Sequence, residues 1–293
     1  MKYELYLGID GGGSKCKARL ELENGELLGE GVSGPANPVH NSELAFQSIV
    51  EASVIALTNA GFSPDVLGRV NTVMGLAGVN IPKYHAIVEA WKHPFGNCLI
   101  TTDLHIACLG AHAGSEGAIV ITGTGSSAFT SINGVQTMLG GHGFPLGDKA
   151  GGAWLGWKAL SAVLDGFDGL MSRNDLFERV CNQLQISSSN ELVTQALHFL
   201  PRDYAAIAPL VLDAAKAGDE IAISIMNEGA HYLQSLLNRL HELQPKRISV
   251  IGGLASRWLD WLPSETKSFL NSPLCSPEYG AVALAKQQFK DPQ

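Results

Sequence analysis

The first thirty residues alternate between apolar runs and turn-forming residues, a pattern typical of a small antiparallel sheet. Residues 5–9 are mostly apolar and predict a buried strand. Residues 10–14 are rich in glycine and predict a turn, and the alternating residues 18–22 predict a second strand. Asn24-Gly25 is a strong hairpin signal, because both residues adopt the backbone angles of a tight turn. The opening is therefore expected to be a three-stranded module with a glycine loop between its first two strands.

The same plan recurs in the middle of the chain. Residues 118–121 predict a strand, residues 122–126 form a glycine-rich loop, and residues 128–132 predict the next strand. Asn133-Gly134 then repeats the hairpin signal. Two copies of one module, each opening one half of the chain, predict an internally duplicated protein with two lobes.

The remaining pattern alternates helices with strands and predicts an α/β protein. We expect an N-terminal lobe over residues 1–112 and a C-terminal lobe over residues 113–278, with a last helix at about 279–293 that crosses back to the first lobe. Trp154 and Trp157 are three residues apart and are both expected in the core. The other predicted elements are helices at 46–57, 104–113 and 221–243 and strands at 70–74, 98–102 and 247–251, and the region from about 160 to 245 is expected to be almost all helix.

Composition excludes several classes of protein. Hydrophobic residues make up 45% of the chain, which excludes a disordered protein. The 20 Lys+Arg against 28 Asp+Glu give a net charge of −8, which argues against nucleic acid as a partner. The five cysteines lack the spacing of a metal site or redox pair. With no signal peptide or apolar membrane span in the pattern, we expect a cytoplasmic protein with no membrane partner.

Three glycine loops each follow a predicted strand, at residues 10–14, 123–126 and 252–254. Such loops expose successive backbone N–H groups that bind phosphate oxygens, and a Cβ would hold a phosphate away. Three of them predict a nucleotide site. The chain contains no Gly-Lys-Ser or Gly-Lys-Thr, so a P-loop is excluded.

A dinucleotide-binding fold is the alternative that the second loop raises. Residues 123–128 fit the pattern GxGxxG/A. That fingerprint must open a helix, because the pyrophosphate binds at the helix N-terminus. Here it opens a β-branched strand followed by an Asn-Gly turn, so a dehydrogenase is disfavoured.

Three aspartates are candidates for chemistry. Asp10 and Asp103 each end a predicted strand, and Asp148 lies in the glycine-rich run 140–148. Phosphoryl transfer needs a metal ion, backbone donors and a carboxylate that accepts the acceptor's proton. Asp10 beside a phosphate loop suits Mg²⁺, Asp103 suits the base, and Asp148 suits a hydrogen bond to a polar substrate or, alternatively, a structural turn.

These motifs resemble those of a known superfamily. Residues 8–14 and 122–126 resemble the two phosphate motifs of the actin, Hsp70 and sugar-kinase superfamily, and residues 250–255 resemble its adenosine motif. Residues 101–103 and 140–148 narrow the resemblance to the N-acetylglucosamine kinase and BadF-type ATPase family, close to bacterial amino-sugar kinases including glucosamine kinases. The resemblance implies duplicated actin-like ATPase (ribonuclease H-like) domains with a cleft between two lobes.

The resemblance also implies roles for individual residues. Asp103 would be the catalytic base for a sugar 6-hydroxyl, and Asp10 would organise Mg²⁺. The animal enzymes of the family carry a tryptophan where this chain has His142. The implied sugar-binding residues are Asn37, Asp103, Gly123, Gly141, His142 and Asp148, and the implied ATP-binding residues are Gly11, Gly12, Gly13, Ser14, Thr124, Gly125, Ser126, Gly252 and Gly253.

The sequence therefore predicts an ATP-dependent kinase with Mg²⁺ as its metal ion. The predicted reaction phosphorylates an amino sugar at its 6-hydroxyl, with N-acetyl-D-glucosamine as the leading acceptor and D-glucosamine as the alternative. Two less favoured hypotheses are an ATPase that drives another protein's redox chemistry, whose usual cluster cysteines are absent, and a non-enzymatic sugar sensor. A homodimer is implied by resemblance alone, and the cluster Arg202-Asp203-Tyr204 has no derived role.

Overall fold

The chain divides into two compact units in the computed structural model, which describes residues 4–290. The first unit comprises residues 4–117, 130–136 and 272–290, and the second comprises residues 118–129 and 137–271. The end of the helix predicted at 279–293 and the start of the lobe predicted at 1–112 thus fall partly outside the described residues.

The first unit contains a mixed five-stranded sheet. Its order is β3-β2-β1-β4-β5, in which β2 is antiparallel to β1 and β3, whereas β4 is parallel to β1 and β5. The Asn24-Gly25 turn joins β2 to β3 as predicted, with Gly25 at φ +93°. The strands are β1 (Leu5–Gly11), β2 (Cys16–Leu22), β3 (Leu27–Ser33), β4 (Asn71–Leu76) and β5 (Asn97–Thr102).

The second sheet repeats this arrangement. Its order is β8-β7-β6-β9, and β9 is parallel to β6 just as β4 is parallel to β1. The two sheets therefore share the plan of a three-stranded module extended by a parallel strand, which agrees with the predicted duplication. The strands are β6 (Gly117–Thr122), β7 (Ser126–Ile132), β8 (Val135–Gly140) and β9 (Ile248–Ile251).

Five of the α-helices begin at a side chain that caps their first turn: α1, α3, α5, α6 and α9. Asn41 accepts a hydrogen bond from the Leu44 N–H, and Asp219 accepts from the Ile221 and Ala222 N–H groups. No helix within residues 4–290 has the length and apolarity to cross a membrane. The α-helices are α1 (Ser42–Asn59), α2 (Pro82–Glu89), α3 (Asp103–Ala111), α4 (Gly152–Phe167), α5 (Asp175–Leu184), α6 (Ser189–Ala196), α7 (Pro201–Ala205), α8 (Ala208–Lys216), α9 (Glu220–Glu242), α10 (Ala255–Leu259), α11 (Ser264–Ser268) and α12 (Pro277–Gln288), and a 3-10 helix covers Pro64–Arg69.

The two faces of β1 pack against different helices. Leu7 and Ile9 belong to the core under α1, whereas Tyr6 belongs to a separate cluster with α3 and α12. The backbones on this second face approach closely, since a Cβ on Gly280 would lie 2.0 Å from the Ile106 carbonyl oxygen. Helix α12, at the end of the described chain, thus packs on the first strand of the first unit.

The core of the second unit gathers around α4 and α9. Trp154 of α4 is buried there as predicted, together with Met226, Leu237 and Trp258. The prediction for Trp157 is wrong, because its side chain is 40% exposed. A residue three positions along a helix is rotated by about 60°, which places Trp157 at the edge of the apolar face.

Candidate functional site

The first glycine loop closes the turn between β1 and β2. The Gly12 N–H donates to the Lys15 carbonyl at 3.0 Å, and the Ala36 N–H donates to the Gly12 carbonyl at 2.9 Å. A Cβ on Gly11 would lie 2.4 Å from a leucine side chain of β4, whereas a Cβ on Gly13 would meet nothing within 4 Å. Packing therefore requires glycine at residue 11, while residue 13 leaves open space beside the backbone for a bound group.

Asp10 lies at the end of β1, directly before this loop. The pKa of its carboxyl group is raised to about 7, chiefly by burial and then by the negative charges of Glu278 and Asp103, against the opposing effect of Lys17 and Lys15. The positive charges of the two lysines therefore only partly offset the negative charges around this carboxylate. A divalent cation would supply the missing positive charge.

Asp103 is the first residue of α3, directly after β5. The preceding residue, Thr102, caps the helix by accepting the His105 N–H at 3.1 Å. The Asp103 Oδ1 accepts the Leu104 N–H at 2.9 Å, which orients the carboxylate. Burial raises the pKa of Asp103, while the backbone N–H groups of Leu104 and Asp103 lower it. A fixed carboxylate with a raised pKa suits a general base.

Asn37 lies in a loop beside the first glycine loop, since its neighbour Ala36 donates to Gly12. The Asn37 Oδ1 accepts the Val39 N–H at 2.9 Å, and its main-chain oxygen accepts the His40 N–H. The turn orients the side chain and occupies its oxygen. Its NH₂ group is the part that would donate to a ligand.

The second glycine loop lies against the first turn of α4. Its turn is closed by the Gly123 N–H, which donates to the Gly125 carbonyl at 2.9 Å. The Gly152 N–H donates to the Gly123 carbonyl at 2.7 Å, and the Ala153 N–H donates to the Thr124 carbonyl at 2.9 Å. The helix thus uses its otherwise unpaired N–H groups to hold the loop in place.

Asp148 packs directly on this second loop. Its Oδ2 lies 2.1 Å from where a Cβ on Gly125 would stand, so only glycine fits there. Its Oδ1 accepts the Gly143 N–H at 3.1 Å. Burial raises the pKa of Asp148, against the Gly143 hydrogen bond and the charge of His142. The alternative turn role also has support, since Asp148 has φ +58° and its carbonyl accepts the Gly151 N–H.

The predicted adenosine motif reaches the same loop. Gly252 has φ +100°, and a Cβ there would lie 2.3 Å from the Thr122 carbonyl oxygen. The Leu254 N–H donates to that oxygen at 3.1 Å. Gly253 has open space where its Cβ would be. The second unit therefore brings together residues 122–126, 148 and 252–254, which the sequence separates widely.

The other predicted site residues differ in which of their groups are available to a ligand. The Ser126 side chain is buried and its hydroxyl donates to the Lys149 carbonyl, so only its backbone remains for a nucleotide. Gly141 has φ +66°, and a Cβ there would lie 2.9 Å from the Ser127 side chain. The predicted site residues that are exposed at these loops are Gly13, Ser14, Thr124, Gly141, His142, Gly252 and Gly253.

Two polar side chains near the predicted residues were not expected from the sequence. The Tyr232 hydroxyl of α9 lies 2.9 Å from where a Cβ on Gly140 would stand, and burial and the charge of Asp148 raise its pKa. The charge of Glu278 of α12 likewise raises the pKa of Asp10. Neither belongs to a motif, since Tyr232 simply continues the apolar spacing of a helix and Glu278 follows a helix-starting proline.

The arrangement of glycine loops and carboxylates agrees with a comparison against known families. A family model described as the BadF/BadG/BcrA/BcrD ATPase family matches residues 7–283. The chain belongs to this ATPase family. The resemblance drawn from the motifs is therefore confirmed over nearly the whole BadF-type sequence.

Curated relatives match this BadF-type chain over nearly its whole length. The glucosamine kinase of Vibrio cholerae serotype O1 is 35% identical over 281 residues, which cover 96% of this chain and 95% of the relative. The N-acetylmuramic acid/N-acetylglucosamine kinase of Clostridium acetobutylicum is 26% identical over 309 residues, covering 98% and 99%.

A solved structure shows the same fold. The crystal structure of a candidate N-acetylglucosamine kinase from Chromobacterium violaceum superposes with a TM-score of 0.90 at 27% identity, and it covers 96% of this chain and 99% of that protein. The BadF-type chain has the actin-like ATPase fold, as predicted.

Proposed function

We propose that this protein transfers the terminal phosphoryl group of ATP to the 6-hydroxyl of an amino sugar. The chain is an ATP-dependent sugar kinase, because it belongs to an ATPase family and its curated relatives are kinases. N-acetyl-D-glucosamine and D-glucosamine are the two proposed acceptors. The names of the Clostridium and Vibrio relatives support them about equally.

The observation that carries the proposal is the state of Asp103. Its carboxylate is oriented by the Leu104 N–H and its pKa is raised by burial. Such a group accepts a proton more readily than an exposed aspartate does. We assign Asp103 to accept the proton of the sugar hydroxyl as that oxygen bonds to phosphorus and the phosphorus–oxygen bond to ADP breaks.

We propose that the glycine loops bind ATP mainly through their backbone. Gly13 and Gly253 support this role, because neither has a neighbour where a Cβ would stand, so a ligand can approach the main chain. The proposed set is Gly11, Gly12, Gly13, Ser14, Thr124, Gly125, Ser126, Gly252 and Gly253.

We propose that the sugar binds through polar groups that are held in place by turns. The Asn37 NH₂ group and the Asp148 carboxylate would hydrogen-bond sugar hydroxyls, since each is already oriented by a turn. The other proposed residues are Gly123, Gly141 and His142.

The residues around Asp10 fit the Mg²⁺ that the family implies. Within residues 4–290 no three His, Cys, Asp or Glu side chains are placed to hold a metal ion by themselves. Mg²⁺ bound to a nucleotide uses few protein ligands and retains several waters, so one or two carboxylates suffice. When bound, it would neutralise phosphate charge, and Asp10 would hold it.

A coupled kinase assay tests the proposal directly. We expect ATP-dependent turnover with glucosamine or N-acetylglucosamine, and little with glucose or N-acetylmannosamine. Phosphorus and carbon NMR of the product should show phosphate on the 6-oxygen. A chain that hydrolyses ATP equally with and without sugar would instead be an ATPase of the redox-driving kind. The cytoplasmic location and the homodimer remain predictions.

A further inference from the structure

Helix α12 meets β1 on the face of the sheet that carries Asp10. A Cβ on Gly8 would lie 2.2 Å from the Glu278 carbonyl oxygen and 2.6 Å from the Val282 nitrogen. Residues two apart on a strand point to the same face, so the Asp10 side chain emerges beside the first turn of α12. The absence of a side chain at Gly8 is what lets the helix approach this closely.

Glu278, in that first turn, is a buried carboxylate that is only half satisfied. The residue is 6% exposed, and its Oε1 lies 3.6 Å from the Lys17 Nζ. Its Oε2 has no hydrogen-bond partner among residues 4–290. A buried polar atom without a partner is destabilising, and more so when it is charged. Such an atom next to a proposed ligand site indicates that the ligand completes its environment.

The charges around Asp10 leave an excess of negative charge. Glu278 and Asp103 are the acidic groups whose charges reach Asp10. Asp10 and Glu278 flank the same lysine, since Lys17 is opposite Asp10 in the strand register and its Nζ lies 3.6 Å from the Glu278 Oε1. Lys15 lies in the adjacent loop. Two lysines face three carboxylates, and both lysines remain partly exposed to water, which weakens their effect.

We propose that Glu278 is a second carboxylate, alongside Asp10, that holds the divalent cation of the phosphoryl-transfer site. The proposal rests on the proposed kinase function. Lys17 holds the Glu278 Oε1 and leaves the Oε2 for the cation or for one of its waters. Two carboxylates plus waters and phosphate oxygens match the preference of Mg²⁺. A structural alternative is that Glu278 exists only to pair with Lys17.

Electron paramagnetic resonance of Mn²⁺ in the presence of ADP tests the proposal without using activity. We expect Glu278→Gln to weaken Mn²⁺ binding in the Mn²⁺–ADP complex by about tenfold, because it removes one negative charge next to the cation. The affinity for ADP without metal should stay within about twofold of the wild-type value.

Glu21→Gln is the matched control. Glu21 is 1% exposed, and it also connects the sheet to α12, through Lys286 at 2.6 Å. It is remote along the sheet from Asp10, since it pairs with Tyr6 in the β1–β2 register. The Glu21→Gln variant should have a lower melting temperature than the wild type and an unchanged affinity for Mn²⁺. Lys17→Gln tests the structural alternative, in which Glu278 serves only to pair with Lys17. That alternative requires Lys17→Gln and Glu278→Gln to weaken Mn²⁺ binding equally.

The outcomes are distinguishable. Wild-type Mn²⁺ affinity in Glu278→Gln, or a loss matched by either control, overturns the role of Glu278 and leaves the kinase function intact. A wild-type chain that binds no Mn²⁺–ADP and phosphorylates no sugar contradicts the proposed function instead. If Glu278→Gln does not fold, Glu278→Asp keeps the charge but withdraws it by one methylene, and a loss of Mn²⁺ affinity of at least threefold is then expected.

Discussion

Asp103 shows how burial and backbone hydrogen bonds act on one side chain in opposite directions. Burial disfavours its charge, whereas the Leu104 and Asp103 N–H groups favour it, and burial has the larger effect on the pKa. The result is an oriented carboxylate that accepts a proton more readily than an exposed one. The proposed role as base follows from this balance.

Asp103→Asn tests that role. The variant should lower kcat by about 10²–10⁴-fold, since it removes the proton acceptor while an amide oxygen can still accept the Leu104 N–H. Sugar affinity, measured by isothermal titration calorimetry, should stay within about threefold of the wild type. A variant that retains most of its kcat would remove Asp103 from the role of base.

The same substitution should also change how stability depends on pH. The pKa of Asp103 is raised on folding, so between its ordinary and its raised pKa the folded chain binds more protons than the unfolded chain. Asp103 therefore destabilises the ligand-free fold increasingly as pH rises through that window. Differential scanning fluorimetry should show the melting temperature of Asp103→Asn increasing relative to that of the wild type as pH rises above the ordinary pKa of aspartate. A difference that narrows as pH rises would contradict the assigned effect of burial.

Sequence reasoning at this scale proposes site residues only where a polar side chain belongs to a motif. Asp10, Asp103 and Asp148 are recognisable because each follows a strand or lies in a glycine run. Glu278 is not, since its importance comes from α12 packing on a strand about 270 residues earlier. Tyr232 occupies an ordinary apolar helix position, and only the fold shows that its hydroxyl reaches Gly140.

At the scale of elements, the second glycine loop is held by three neighbours. The first turn of α4 binds its carbonyls, Asp148 packs on Gly125, and the segment after β9 binds Thr122. The loop is therefore shaped by contacts behind it, which leaves its outer face for a ligand.

Substitutions at the adjacent residues Gly252 and Gly253 distinguish the effect of backbone strain from the effect of blocked ligand access. Gly252→Ala should cost about 2–4 kcal/mol in unfolding free energy, because residue 252 has φ +100° and its Cβ would lie 2.3 Å from the Thr122 oxygen. Gly253→Ala should change stability by less than about 1 kcal/mol, since its Cβ meets nothing within 4 Å. If Gly253 faces the nucleotide, its variant raises the KM for ATP several-fold. Urea denaturation and steady-state kinetics measure both, and equal stability losses would contradict this distinction.

Elements with strong local signals were predicted well. Both Asn-Gly hairpins occur, and the helix predicted at 46–57 is found as α1 (Ser42–Asn59), which Gly61 follows with φ +79°. The short helix α2 was not predicted, because its eight residues have only one buried side chain and hence no apolar periodicity. The prediction that Trp157 lies in the core was wrong, because the two tryptophans lie at different angles around α4.

For the molecule as a whole, sequence repetition predicted the architecture. Two copies of one β-module correspond to two sheets in which four strands follow the same order, β3-β2-β1-β4 and β8-β7-β6-β9, and the first sheet adds β5. The lobe boundary at residue 112 remains a prediction. The compact units are discontinuous in sequence, so a single boundary cannot describe them. Residues 272–290 belong with residues 4–117 although more than 150 residues separate them.

Val282→Asp tests how far the whole molecule depends on this distant pairing. Val282 is 1% exposed between α12 and the sheet, so a buried carboxylate there should cost at least about 4 kcal/mol and abolish kinase activity. Gln288→Ala, at an exposed position on the same helix, should leave both unchanged. Circular dichroism melting and the coupled assay would check this. A Val282→Asp chain as stable as wild type would show that α12 is dispensable.

The late position of α12 has a consequence during protein synthesis. A ribosome adding about 5–20 residues per second needs on the order of 10–30 s to advance from residue 117 to residue 277. Throughout that interval the nascent first sheet lacks the helix that covers Tyr6 and Val73. Chains that stop before residue 277 would leave this apolar cluster exposed, and exposed apolar surface makes incomplete chains prone to aggregate.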